Sequence, residues 1–511
     1  MKTKPVFQNK ARTITLVNRV LMIMAALYFL ILPALTILWG ISDPAIRKGG
    51  IPRSAVYLFQ KLTPRYEKWA RERMASGSAG ALTGANISGT EWPPFGSAYY
   101  LWAVESLQKS WDGGDHFMAQ APNDYARGAI EASTALILDP NTAGWVRKYW
   151  GGGENYLHQE DIFYRMLMIS AATTYQKLTG DARYLPVLRD QVETLSTEVD
   201  RSKFGLLDDY PQQCFPADVV AAVANIREAD LLLGTDHSGF VKRAMRGFQG
   251  NLADRRGLPP YMADSKQGET WGPSRGCSNS YLCLFAAQAW PEFGSKLYEA
   301  YDQYFWQTRW GAAGFREFPN DLRGHEWYWD VDSGPVVAGH GISACAFGVG
   351  AARVNGRMDR AYPVASEMLA FSWPLPDGTL LIPRILSNAT DAPYVGEASI
   401  LYNLTRQPLP GIQVKLGGSI PLVVYGVLFI FLGRAFFLLR SAIRRPKGSG
   451  SKITPPYPMG HFLLWGTLVL LFLLGMALSH FVWAMVFYVV AQFFPLKVTG
   501  PGTFRSFKRS V

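Results

Sequence analysis

The residues best equipped for chemistry fall in a few stretches of this 511-residue chain. The densest runs from Glu317 to Pro335, where the acids Glu326, Asp330 and Asp332 surround the aromatic run Trp327-Tyr328-Trp329. Two carboxyls in unlike surroundings can have their pKa values pushed apart, one kept protonated as a donor and one ionised as an acceptor. General acid/base catalysis near neutral pH requires that division. Aromatic walls raise one pKa by desolvation and offer flat faces to sugar rings or prenyl chains. Asp332 and Ser333 also fit the cap of the helix expected from Val336 to Ala352. A second stretch, Asp208-Asp-Tyr-Pro-Gln-Gln-Cys214, sets adjacent carboxylates before another helical pattern, where capping and cavity roles are both open. A third, Gly89 to Trp102, places Glu91 and Trp92 ahead of an aromatic helix start that includes Tyr99. A fourth, Gly151 to Asp161, is a flexible loop carrying His158, with Glu160 and Asp161 at the start of the next helix. Those two acids also complement a helix N-terminus.

Elements of one kind must position these loops. Tyr175 to Gly180, Ala229 to Gly234 and Ala351 to Gly356 each close an apolar-periodic helix on a glycine, the residue that adopts positive φ past a helix end without steric cost. Their spacing matches one and two units of about 60 residues, the length of an αα-hairpin with its loops, and about six such units fit the central region. Runs of alternating Val, Ile and Thr are scarce. The expected fold is all-α: an (α/α)6 toroid over 85–410, in which inner helices line a cavity and long loops at one end build the site.

Hydrophobic blocks frame that domain. Residues 20–41 carry no charge and are long enough for a transmembrane helix; a second expected span covers 416–439, and a third apolar block covers 462–496. The third is too long for one perpendicular span, so a tilted helix and a hairpin of two spans both fit. The tail at 1–19, the loop at 440–460 and the tail at 497–511 are basic, while 42–84 reads as a juxtamembrane linker and helix. The first two of these basic flanks predict a cytoplasmic side for both, which puts the central domain on the extracytoplasmic side of an integral, multi-pass membrane protein. Lys and Arg number 51 against 40 Asp and Glu, for a net charge of +11. Membrane flanks account for much of that excess. With no finger spacing, base-reading helix or phosphate loop, nucleic acid is excluded as a partner.

Cys214, Cys277, Cys283 and Cys345 are spread over a large domain that needs no staples; a Cys277–Cys283 bridge is compatible with an extracytoplasmic site, and buried thiols are the simpler reading. Nucleotide-binding glycine fingerprints, a nucleophile elbow and paired-histidine metal motifs are absent from the sequence. No cofactor and no metal are therefore expected, with a calcium site from scattered carboxylates left open.

Three stretches resemble the linalool dehydratase/isomerase family, cofactor-independent (α/α)6 enzymes acting on terpene alcohols and alkenes. Glu160-Asp-Ile-Phe-Tyr-Arg-Met-Leu167 with Tyr175 to Tyr184 is similar to a Glu-Asn-Ile-Met-Tyr helix of that family and its glycine-bearing end. Asp208 to Cys214 resembles the segment that brings a catalytic cysteine into the pocket, and Asp330-Val-Asp-Ser-Gly334 resembles a third segment. The resemblance runs from Glu91 to Pro408 and implies a pocket role for Cys214 and for Tyr261. It departs where the family has a further cysteine with its glutamate, for which Leu206 to Asp209 offers no match, and where a relay histidine is replaced by Leu167.

Three functions follow as expectations. The first is a membrane-anchored hydrolase, lyase or epimerase acting on an envelope glycan through Glu326, Asp330, Asp332, Asp208 and Asp209, with Cys214 beside them. Glu91, Trp92, Tyr99, His158, Tyr261, Trp327 and Trp329 would then contact substrate. The second is a lyase or isomerase of a prenyl or other lipophilic alcohol, and the third a non-catalytic toroid that binds a glycan or a partner. The admitted partners are the lipid bilayer, the glycan or prenyl substrate, and a second copy of the chain.

Overall fold

The computed structural model describes residues 19–83, 86–151, 153–250, 252–388 and 390–443, together with residues 16, 467 and 471. The described residues up to Ala442 form one compact unit. The expected block at 462–496 and the tail at 497–511 lie outside the described residues, apart from residues 467 and 471; so do most of 1–19 and 440–460.

The protein is mostly helical, with a few short strands. Its longer helices are α1 (Arg19–Ile41), α2 (Arg53–Ser76), α3 (Trp92–Asp112), α4 (Arg127–Leu138), α5 (Ile162–Thr179), α6 (Leu185–Arg201), α7 (Pro216–Leu233), α8 (Ser238–Gln249), α9 (Gly276–Ala289), α10 (Pro291–Phe305), α11 (Ile342–Val354), α12 (Met358–Phe371), α13 (Val395–Thr405) and α14 (Leu422–Ile443). Starts and stops follow local chemistry. Proline occupies the first turn of α3, α6, α7 and α10, where its missing N–H costs nothing. Gly180 and Gly234 end α5 and α7 at φ of 70° and 68°. Gly356, also at positive φ, follows Asn355, the residue that caps the C-terminus of α11.

From α2 to α11 two helix types alternate, while α12, which also packs on α1, is buried without a break from Ala361 to Glu367. In α7 every residue from Val219 to Ile226 is buried, the pattern of a helix surrounded by protein. By contrast α6 buries Leu188, Val192, Leu195 and Val199 along a single stripe. The enclosed helices meet in cyclic order: α3 packs on α5, α5 on α7, α7 on α9, α9 on α11, α11 on α13, and α13 back on α3. Helix α2, in the region read as a juxtamembrane linker, packs against α4 and α13.

The six enclosed helices run in the same direction. At their C-terminal ends Lys177 bonds Glu105 and Glu228 at 2.9 and 2.8 Å, joining α5 to α3 and α7, and Arg227 donates to the carbonyls of Gln288 and Ala289 at the end of α9. At their N-terminal ends lie the long connections, 77–91, 139–161, 202–215, 250–275, 306–341 and 372–394. These loops hold the strands. Trp327–Asp330 pairs antiparallel with Gly334–Val337, which pairs with His340–Gly341; Trp306–Arg309 pairs with Ala312–Phe315 and Met262–Ala263 with Thr270–Trp271.

Among the described residues, α1 and α14 are the helices long and apolar enough to cross a membrane, with mean hydropathies of 2.5 and 2.4. Both lean on the helical body. Tyr362 of α12 donates its hydroxyl to the Ile41 carbonyl, and Trp373, just past α12, donates its indole N–H to the Phe29 carbonyl at 2.7 Å. The Trp373 ring also meets Phe431 of α14 at 4.8 Å between centroids.

Candidate active site

The N-terminal ends of the enclosed helices gather carboxylates. Glu91 precedes α3 and accepts a hydrogen bond from Tyr210 of the loop before α7. Asp161 caps α5, accepting from the Tyr164 N–H at 3.1 Å and the Trp150 indole at 3.2 Å. Asp218 sits in the first turn of α7, and Asp209 in the loop before it accepts from the Phe215 N–H at 2.7 Å. Asp332, in the turn of the Trp327 hairpin, accepts from Tyr261.

These acids feel one another. Burial pushes Glu91 well above the usual carboxyl range, and Asp332, Asp161 and Asp218 push it further. Burial, with Asp332 and Asp161 beside it, lifts Asp218 to about 8. Asp161 is pushed up to about 7, burial outweighing its bonds from Tyr164 and Trp150. Asp209 is raised by burial and by Asp218. Asp332 is solvent-exposed as a residue, yet protein crowds its carboxyl; that desolvation and the negative charge of Asp330 outweigh Tyr261 and Arg275 and raise it. The mouth thus stores protons at neutral pH.

An ionised partner stands beside this store. Asp330 accepts from Arg275 at 2.7 Å, from the Ser333 N–H at 2.7 Å, and from the Asp332 N–H and the Tyr328 hydroxyl at 3.1 and 3.0 Å. Burial alone would raise it, but Arg275 and the Ser333 N–H outweigh burial and hold it at about 2. Arg275 bonds the buried Glu317 as well, at 2.7 Å, while the Cys277 thiol donates to the same carboxylate at 3.1 Å. The loop carrying Glu317 is pinned by close approach: the Gly276 N–H donates to the Glu317 carbonyl at 2.7 Å, and a Cβ on Gly276 would stand 1.9 Å from the Arg316 carbonyl oxygen.

Beneath the acids the axis is filled with rings from four of the enclosed helices. Tyr99 stacks on Tyr402 at 5.7 Å and touches Phe347; Tyr281 meets Phe95, Phe285 and Phe347. The Tyr281 hydroxyl is buried with no hydrogen-bond partner among the described residues, and its ring lies close enough to Asp218 and Asp209 for their charges to raise it, after burial.

Of the residues singled out from sequence, Glu91, Asp208, Asp209, Cys214, Tyr261, Asp330 and Asp332 come together at this end, with Tyr99 in the floor and Trp92 in the first turn of α3. Cys214 is fully buried; desolvation, then Asp209, Asp208 and Asp218, push its thiol up and disfavour a thiolate. Four stand apart from the carboxylates. His158 pairs with Asp190 of α6 at 2.9 Å, and Trp327 and Trp329 lie on the open face of their hairpin. Glu326 lies toward Arg316, and its carbonyl accepts from Gly339. Cys277 and Cys283 are both free thiols. Among the described residues, no group of three or more His, Cys, Asp or Glu side chains is arranged to hold a metal ion. Asp218, Arg275, Glu317 and Tyr281 join the site without a sequence signal that sets them apart. Asp218 follows Pro216 as an ordinary first-turn acid, and Arg275 meets Glu317 only through the fold. The chain matches no known protein family and no curated protein.

The raised acids fix the sign of the pH dependence. Asp161, Asp218 and Glu317, the last raised by burial to about 7 despite Arg275, keep protons in the folded chain at pH values where the unfolded chain has lost them. Their stabilisation is complete below the unfolded carboxyl pKa of about 4 and is lost as pH rises through 7 to 8. Thermal denaturation should give a falling Tm between pH 5 and pH 8, less steeply in Asp218→Asn. A Tm that rises over this range would contradict the protonation assigned to the mouth.

Proposed function

We propose that the chain is a membrane-tethered (α/α)6 toroid that carries out carboxylate acid/base chemistry on an envelope glycan. The cyclic packing of α3, α5, α7, α9, α11 and α13, with one further helix preceding each of them in the chain from α2 to α12, supports the toroid. In this reading α1 and α14 cross the bilayer. Because α1 enters the body at its C-terminal end and α14 leaves it at its N-terminal end, both basic flanks fall on the cytoplasmic side and the toroid on the other.

The observation that carries the activity is the separation of protonation states at one mouth, with Asp218 lifted to about 8 and Asp330 held at about 2. Asp218, Glu91 and Asp332 are the proton donors. Asp330 is a fixed anion that orients Arg275 and, through the Asp332 N–H, the neighbouring carboxyl. Tyr99 and Tyr402, buried and stacked on each other, form a closed floor beneath these acids. A second reading, a lyase or isomerase of a prenyl alcohol in the manner of the linalool dehydratase/isomerase-like enzymes, is favoured by the density of apolar rings in that floor.

The test is incubation of the detergent-solubilised full-length protein with envelope polysaccharides and, separately, with short prenyl alcohols, products being read by mass spectrometry beside Asp218→Asn. Oligosaccharide release that depends on Asp218 supports the first reading. Loss of water from a prenyl alcohol that depends on Asp218 replaces it with the second. Silence on both panels leaves a binding toroid, and products unaffected by the substitution overturn Asp218 as the proton donor.

A further inference from the structure

We infer that the carboxylate mouth of the ring is seated on the lipid bilayer, so that its substrate is an amphiphile whose polar head meets the carboxylates while its tail stays in the membrane. The inference rests on the reading of α1 and α14 as membrane spans and adds to it where the site faces.

The first observation is an apolar helix at the mouth. Leu381–Asn388 lies in the connection that leads into α13, at the same end as the carboxylates: Arg384 pairs with Glu397 in the first turn of α13, and Asp391, just beyond, packs on Gly89 beside Glu91. Its Ile382, Ile385 and Leu386, spaced to share one face, are 39, 54 and 52% exposed, with Phe371 at 50% close by. Such a face on a short helix beside membrane spans suits burial at the headgroup–acyl boundary.

Continuity with the spans is direct. The N–H groups of Leu381 and Ile382 donate to the carbonyls of Trp373 and Ser372 at 3.1 and 3.2 Å, and Trp373 is the residue that bonds Phe29 of α1 and whose ring meets Phe431 of α14. Phe29 and Phe431 both lie well inside their apolar helices. The mouth-side helix is therefore held at a level both spans reach within the bilayer.

The second observation is the Trp327 hairpin. Strand alternation turns Asp330 inward to Arg275 and sends Trp327 and Trp329, 47 and 53% exposed, to the open face. Trp310, 68% exposed, lies 6.3 Å from Trp327 ring to ring, and Gly311 beside it accepts from the Val423 N–H at the start of α14. Exposed tryptophans beside a span entry match the aromatic belt at a membrane interface. The opposite end of the ring supplies the contrast: Leu231, near the end of α7, is an isolated exposed leucine.

The experiment uses the full chain in nanodiscs of phosphatidylcholine and phosphatidylglycerol. Trp329→Cys, Ile385→Cys, Leu231→Cys and Leu432→Cys are each labelled with an environment-sensitive fluorophore and quenched either by brominated lipid or by aqueous iodide. Leu432 of α14 reports the span itself. The expected result is about a twofold loss of emission to brominated lipid at 329, 385 and 432, and quenching by iodide alone at 231. Lipid quenching at 432 with iodide quenching at 329 and 385 overturns the seated mouth and leaves the spans standing. Iodide quenching at 432 as well overturns the spans and the inference together.

Discussion

Replacing Arg275 by methionine should cost about 3–5 kcal/mol of stability at pH 8, because two buried or half-buried carboxylates, Glu317 and Asp330, lose the cation they share. Glu317 is fully buried, and among the described residues Arg275 is the cation it pairs with. Its remaining donors, the Cys277 N–H and thiol, stabilise charge far less than a guanidinium does. The loss should shrink toward pH 5, where Glu317 can take up a proton and needs no counter-charge. Arg275→Lys should recover only part of the deficit, since an ammonium cannot serve two carboxylates with the planar fork the arginine uses. Thermal or denaturant unfolding of the three proteins at both pH values measures this directly. Equal stability of Arg275→Met and the natural chain at pH 8 would mean that the Glu317–Arg275–Asp330 chain does not hold the hairpin in place.

The second large effect concerns turnover. Asp218→Asn keeps the size and shape of the side chain and removes its proton, so the product identified in the substrate panels should form about 10²–10⁴-fold more slowly. Stability should move the other way at pH 8, where the natural chain must hold or ionise a crowded carboxyl and the amide does neither. A rate loss combined with a higher Tm separates a catalytic acid from a structural one. A variant that is both slower and less stable would place Asp218 among the packing residues. Asp330→Asn should behave differently, losing stability through Arg275 together with rate, because Asp330 acts by fixing Arg275 and the Asp332 turn.

Much of the organisation can be traced to particular residues. Gly180, Gly234 and Gly356 mark helix ends in the sequence because positive φ is free only for glycine, and all three adopt it. Asp208, Asp209, Asp330 and Asp332 are conspicuous as acids outside helix bodies, and all four come to the same end of the helical body. Asp218 is hidden by its position, since an acid in a first helical turn already has a reason to be there in the helix dipole. Arg275 and Glu317 are hidden by distance along the chain. The Trp327 run is too short to declare its period: four residues alternate only once in each direction, and the strand becomes legible when Gly334–Val337 pairs with it. His158 has the type of a site residue but lies within reach of Asp190, a local partner that spacing alone does not reveal.

Carboxyl protons held at the mouth at neutral pH are visible to infrared titration. The carbonyl stretch of protonated carboxyls, separated from the amide band and shifted in heavy water, is followed from pH 5 to pH 9 in the natural chain and in Asp218→Asn and Glu91→Gln. A protonated-carboxyl signal is expected at pH 7, fading through about pH 8 and smaller in each variant. Absence of that signal at pH 7, or a signal unchanged by both substitutions, would contradict protons held at the mouth.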